Sequence, residues 1–200
     1  MDSLPKYRRA TPEARRDDLI RATLESLAED GREGASVRKI AARAGVSVGL
    51  INHYFDGVDE LVAEAYRSLA GSLRETAIEA VEKAGKDPRA RLSAFFRSNF
   101  GSPTLDYQVL HVWLAFWSMT RRSPVVQMVH DETYGAYRAM LEDLLSALPT
   151  PPNFNRRMAA IGLSALIDGL WLEWCLNQKT FTTDEAVALC ESAIESLLRH

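Results

Sequence analysis

Cysteine is scarce in this 200-residue chain: only Cys175 and Cys190 occur, both in amphipathic helical patterns and without metal-ligand spacing. This excludes a disulfide-stapled secreted scaffold and a cysteine-built zinc site, and it fits buried free thiols in a reducing compartment. Glycine-rich phosphate loops and a Gly-x-Ser-x-Gly nucleophile turn are missing, which removes the usual sequence support for nucleotide and hydrolase chemistry. The histidines are His53, His111, His130 and His200. The one compact polar group, His130-Asp131-Glu132, puts neighbouring residues on different sides of a helix, a poor arrangement for a metal or an acid–base pair. An enzyme is disfavoured, and no metal or cofactor is expected. Long apolar runs are lacking too. No secretory core precedes Pro5, and the most apolar stretch, 158–172, is cut by Ser164 and Asp168 and falls short of the roughly 20 residues of a membrane span. The expectation is a soluble, cytoplasmic, all-α protein without a membrane partner.

The chain also lacks an overall excess of positive charge. A net charge of −3, taken globally, argues against a nucleic-acid partner. The distribution argues otherwise: residues 1–55 hold ten Lys/Arg against eight Asp/Glu, and residues 56–200 hold fourteen against nineteen. Lys6, Arg8 and Arg9 fall on an N-terminal arm of the kind that reaches phosphates or a minor groove.

The most informative stretch is SVRKIAARAGVSVGLINHYFD, residues 36–56. Ser36 is placed to cap a helix whose narrow apolar stripe is Ile40, Ala41 and Ala44, and Gly45 supplies the backbone freedom that ends it. Val46 plugs the corner. Ser47 caps a second helix that buries Leu50 or Ile51 and then Tyr54 and Phe55. A small Ala41 at the crossing permits a close approach, and the outward face, Ser47, Val48, Gly49, Asn52 and His53, is lean and without bulky charge. Such a helix-turn-helix fits a major groove. A plain αα-hairpin inside another helical protein is the competing reading.

AGVSVGLINHYF followed by DGVDEL resembles the DNA-binding core of the tetracycline-repressor (TetR) family of regulators. The resemblance implies operator contacts from Ser36, Val37, Ser47, Val48, Gly49, Asn52, His53 and Tyr54, with Tyr54 and its neighbours touching phosphates. A lysine usual shortly after the Tyr-Phe pair is Val58 here, so backbone N–H groups at the start of the next helix are left to serve.

Helix signals divide the rest. Thr11 and Pro12 open the first helix, which runs to Gly31; a long fourth helix spans about 58–84, with Leu61, Ala65, Leu69, Leu73, Ala77 and Val81 on one stripe. Asp87-Pro88, Ser102-Pro103 and Ser123-Pro124 start three more, Asn153 or Asn155 an eighth, and Thr182 with Glu185 forms a capping box for the last. About nine helices result, with a DNA-binding domain at 1–57 and a ligand-binding and dimerisation domain at 58–200, the fourth helix belonging to both. The eighth helix is apolar nearly all round, with small residues at Ala160, Gly162, Ser164, Ala165 and Gly169, and the ninth carries Val187, Cys190, Ile194 and Leu197 as a stripe. Paired with their symmetry mates, these two make a four-helix homodimer interface; a wholly intramolecular core is the alternative.

All four tryptophans lie in the C-terminal half, Trp113 with Trp117 and Trp171 with Trp174, each pair about one turn apart. With Tyr107, Phe116, Tyr134 and Tyr137 as further walls and Asp168 one turn from Trp171, they suit a cavity for a quaternary ammonium ion, although the same rings also suit a plain helical core. VWLAFWSMTRRSP at 112–124 and ALIDGLWLEWCL at 165–176 resemble the ligand domain of the choline-responsive subgroup of the TetR family, which represses the genes that turn choline into glycine betaine. The resemblance implies a repressor released from double-stranded operator DNA by choline or a related quaternary ammonium. The binding set expected is Trp113, Phe116, Trp117, Tyr134, Asp168, Trp171 and Trp174. A same-family regulator answering a drug-like cation or an acyl ligand remains the alternative.

Overall fold

A computed structural model describes residues 11–199; the arm residues Lys6, Arg8 and Arg9 lie outside them. Among the described residues there are nine α-helices and no strand. They are α1 (Pro12–Asp30), α2 (Val37–Ala44), α3 (Val48–Tyr54), α4 (Val58–Lys83), α5 (Pro88–Phe100), α6 (Tyr107–Thr120), α7 (Pro124–Ser146), α8 (Arg156–Leu176) and α9 (Thr183–Leu198), with a 3₁₀ turn over Gly31–Gly34.

Local chemistry sets most of these boundaries. Thr11 accepts from the Ala14 N–H, Asp87 from Arg89 and Ala90, and Asn155 from Met158, while Thr182 and Glu185 close a reciprocal capping box. Gly45 ends α2 in the left-handed region (φ 65°), where its N–H reaches the Ala41 and Ala42 carbonyls. Gly34 is required for a different reason: a Cβ there would lie 2.1 Å from the Ser26 carbonyl oxygen, on a backbone that cannot yield. Three boundary expectations need correction. Ser36 and Ser47 do sit at the N-cap positions of α2 and α3, but neither side chain caps; Ser47 is exposed and Ser36 half-buried, so water competes for those N–H groups. Ser102-Pro103 does not begin a helix. The Leu105 N–H closes a turn on the Gly101 carbonyl, and α6 starts later because the Asp106 carboxylate accepts from both Gln108 and Val109.

Two apolar cores form. The smaller one gathers Leu19, Ala22, Ile40, Ala41, Ile51, Phe55 and Leu61 from α1, α2, α3 and the first turn of α4. The larger takes Val62, Ala63, Ala65 and Tyr66 from the very next residues of α4 and joins them to α5–α9. With 26 residues, α4 is about 39 Å long at about 1.5 Å per residue, and it is embedded in both cores. Val58 explains its own departure from the expected lysine: half-buried, it packs against both cores.

The last two helices need a finer division than their sequence suggests. On α9, Val187, Cys190 and Ile194 turn into the chain's own core against α5 and α8, not outward. What stays exposed is Leu189 and Leu197 there, with Met158, Leu172 and Leu176 on α8. Gly162, Ala165 and Gly169 share that open side of α8. At 21 residues α8 is long and apolar enough, by length and composition, to cross a membrane, which corrects the expectation that it falls short. Its other side, Ala159, Ala160, Leu163, Ile167, Leu170 and Trp171, is packed inside the protein.

Candidate DNA-recognition unit and effector cavity

The recognition unit is positioned by Ile51 and Phe55, both buried, which anchor α3 in the small core. Full burial of one such side chain is worth about 2 kcal/mol, enough to hold a helix too short to persist by itself. With those residues inward, Ser47, Val48, Gly49, Asn52 and His53 are exposed on one contiguous face. Tyr54 is half-buried, edge-on to His53 at 5.2 Å. Ser36 and Val37 are half-buried at the start of α2. Nearby cations are partly engaged: Lys39 bonds Asp30 at 2.8 Å, and Arg43 pairs with Glu29.

The C-terminal end of α3 is tied to α1 and α4. Arg16 donates to the Tyr54 carbonyl at 3.1 Å, lies 4.3 Å from the Phe55 ring centroid, and pairs with Glu64 at 3.2 Å. Glu64 in turn accepts from Arg67 at 2.6 Å, and Arg67 reaches Glu132 on α7 at 3.3 Å. A continuous ion chain therefore runs from α7 along α4 to the end of the recognition helix.

That chain begins at a cavity of about 230 Å³ lined by α4, α5, α6, α7 and α8. Its deep wall holds Trp113, Trp171, Asn99 and Thr104, all buried. Asp168 and Tyr134 stand on its side, and Arg67, Arg74 and Glu132 at its open end. Asn99 braces the deep wall by accepting from Tyr137 Oη on its side chain (3.0 Å) and from Trp171 Nε1 on its carbonyl (2.9 Å). Asp168 accepts from Tyr134 Oη at 3.2 Å to each carboxylate oxygen. Burial pushes its pKa up to about 6, against the opposing pull of the Tyr134 hydrogen bond and Arg138. Burial and the neighbouring Asp168 charge keep Tyr134 protonated at every ordinary pH. The Tyr134 ring lies 4.4 Å from His130, whose pKa is lowered by burial, and His130 Nδ1 is 2.9 Å from Tyr66 Oη on α4.

A family profile for the N-terminal domain of TetR regulators matches residues 19–65, and one described as "BetI-type transcriptional repressor, C-terminal" matches residues 88–199. The chain is 36% identical to the HTH-type transcriptional regulator BetI of Burkholderia thailandensis over 93% of its own length and 94% of that protein's. The chain belongs to the TetR family of transcriptional regulators. A crystal structure from Pseudomonas aeruginosa PAO1 shares its shape at TM-score 0.88 and 45% identity, covering 98% of this chain and 95% of that one. A Saccharomonospora viridis protein solved in complex with choline has TM-score 0.77 at 20% identity, covering 90% of this chain and 95% of that one.

Of the seven effector residues expected, the cavity brings together Trp113, Tyr134, Asp168 and Trp171. The other three do not line it. Phe116 is wholly buried, stacked on Tyr66 at 4.3 Å with the rings nearly parallel. Trp117 is half-buried, stacks beside Trp113 at 6.5 Å, and its indole N–H makes no hydrogen bond. Trp174 is half-buried at the margin of the large core. Arg67, Arg74 and Asn99 are cavity residues that sequence reasoning missed. Arg67, Gly71 and Arg74 recur at helical spacing on α4, the one available signal.

Proposed function

We propose that this TetR-family regulator is a cytoplasmic, non-enzymatic repressor that binds operator DNA as a homodimer and is released by choline or a closely related quaternary ammonium. The observation that carries the effector is a half-buried carboxylate, Asp168, beside two indoles and a tyrosine in one cavity. A trimethylammonium needs no hydrogen-bond donor from the protein; aromatic faces replace its water shell and one carboxylate offsets its charge. The choline-bound Saccharomonospora viridis neighbour and the BetI relative support the same class. Glycine betaine carries a carboxylate close to its ammonium, which would meet Asp168, so it binds more weakly.

Residues 1–57 form the DNA-binding part in this reading, residues 58–200 the effector and dimer part, with α4 in both. Asn52 reads an adenine edge and Val48 meets a thymine methyl, while Tyr54 and His53 hold the helix on phosphates. The open apolar side of α8 and α9, Met158, Leu172, Leu176, Leu189 and Leu197, packs on its symmetry mate. Effector binding tilts α4 and changes the separation of two recognition helices that must match successive major grooves.

The experiment is tryptophan-fluorescence titration of wild type and Asp168→Asn with choline, betaine aldehyde, glycine betaine and an acyl-CoA, paired with operator release. Choline response in the wild type, weakened in Asp168→Asn, is expected. Silence toward every quaternary ammonium removes the effector class. In gel shifts, Asn52→Ala should relax preference at one base pair by about 1–3 kcal/mol, and Tyr54→Ala should weaken all sequences alike. No preference for palindromic promoter DNA over random duplex ends the DNA reading, and a monomer by sedimentation at micromolar concentration ends its dimer part.

A further inference from the structure

The charges around the cavity are asymmetric. Asp168 stands beside the aromatic wall and is already paired with Tyr134, whereas Arg67 and Arg74 sit two turns apart on α4 at the open end. Between the arginines Gly71 offers no side chain, and a Cβ built there meets nothing within 4 Å. Gly71 itself lines the cavity. Arg67 is shared between Glu64 and Glu132, but Arg74 makes no ion pair or side-chain hydrogen bond among the described residues. A plain cation such as choline uses the Asp168 end and leaves this guanidinium facing the opening with nothing to bind. An ion placed there would also compete with Glu64 and Glu132 for Arg67, at the first link of the chain that runs through Arg16 to the Tyr54 carbonyl.

We propose that the cavity takes a zwitterion: a quaternary ammonium held at Asp168, Trp113 and Trp171, joined by a short linker to a phosphate, sulfate or carboxylate held by Arg74 and Arg67. The inference rests on the quaternary-ammonium reading of the same cavity and extends it to the other end of the ligand. The linker matters because an anion adjacent to the ammonium falls beside Asp168, while one several bonds away reaches the arginines. Guanidinium suits phosphate and carboxylate alike, because its planar fork matches two oxygens at once. By drawing Arg67 away from Glu64, such an anion leaves Glu64 to Arg16 and shifts the balance of the ion chain beside the end of α3.

The test compares choline, acetylcholine, phosphocholine and 4-trimethylammoniobutanoate on full-length wild type and Arg74→Gln, by tryptophan fluorescence and operator release. Acetylcholine supplies a tail without charge; phosphocholine and the butanoate separate a phosphate from a carboxylate source. At least one anionic ligand should bind wild type about tenfold tighter than acetylcholine, the effect of a charge-assisted contact. Arg74→Gln should erase that advantage without weakening choline binding. Choline binding without any advantage for an anionic tail overturns this inference alone, as does an advantage that survives in Arg74→Gln. Failure of all four ligands overturns it together with the quaternary-ammonium reading.

Discussion

In the small core, Leu19, Ile40, Ile51, Phe55 and Leu61 close on one another with no ionisable group among them, whereas the shell around the cavity holds Asp168, Tyr134 and His130, each displaced from its ordinary pKa by burial. The cavity wall also buries the indole N–H of Trp113 without a hydrogen-bond partner, at a cost of about 1–3 kcal/mol. One region is organised to keep a shape. The other keeps groups whose interactions are incomplete until a ligand supplies them, and α4 runs through both. A repressor needs this division, because the surface that reads DNA must be rigid while the part that senses the effector must have something to gain from binding it.

The sharpest way to break the comparison is to damage the rigid half. Ile51→Ala should cost about 3 kcal/mol of stability in urea denaturation and abolish operator binding. The choline-induced fluorescence change should persist; equal loss of both would show that the two cores are not energetically separate.

Asp168→Asn probes the other half with the opposite sign. The folded pKa of about 6 lies above the unfolded value of 3.8, so the ionised carboxylate works against folding. Its favourable protonated contribution is complete below about pH 4 and is lost as pH rises through about 6. At pH 7 the unliganded variant should therefore be more stable than wild type by up to about 3 kcal/mol, with the difference vanishing near pH 4. A variant less stable at pH 7 would mean that Asp168 is structural. Choline affinity follows from the same group: bound cation favours the carboxylate, so affinity should be flat above pH 6 and fall up to about tenfold per pH unit below it. In Asp168→Asn this pH dependence should be absent.

The smallest expected effect is on the connection between the halves. Arg16→Ala or Glu64→Gln should leave choline affinity in the absence of DNA unchanged and alter the coupling between choline and operator by about 0.5–2 kcal/mol. Unaltered coupling in both would take the ion chain out of the mechanism.

Where local chemistry decides, the sequence was readable. Thr11-Pro12, the Gly45 stop and the Thr182–Glu185 box each act within one turn, and the small core follows from a few side chains on short neighbouring helices. The cavity was legible only in part. Helical spacing puts Trp113 and Trp117 on one side of α6, yet only Trp113 lines the cavity, because the neighbouring helices, and not the spacing within α6, decide which ring meets the open space. Arg67 and Arg74 belong to the site only because α4 packs across α5 and α7, a relation no spacing within α4 reveals. The stripe on α9 misled for a related reason: its period is equally that of an internal face, and contact with α5 and α8 decides.

The central claim, that effector and operator act on one protein through α4, is tested most directly by measuring choline affinity with and without saturating operator. The account predicts weaker choline binding on DNA, by the same factor that choline weakens DNA binding, since coupling at equilibrium is reciprocal. Equal choline affinities in the two states would contradict it.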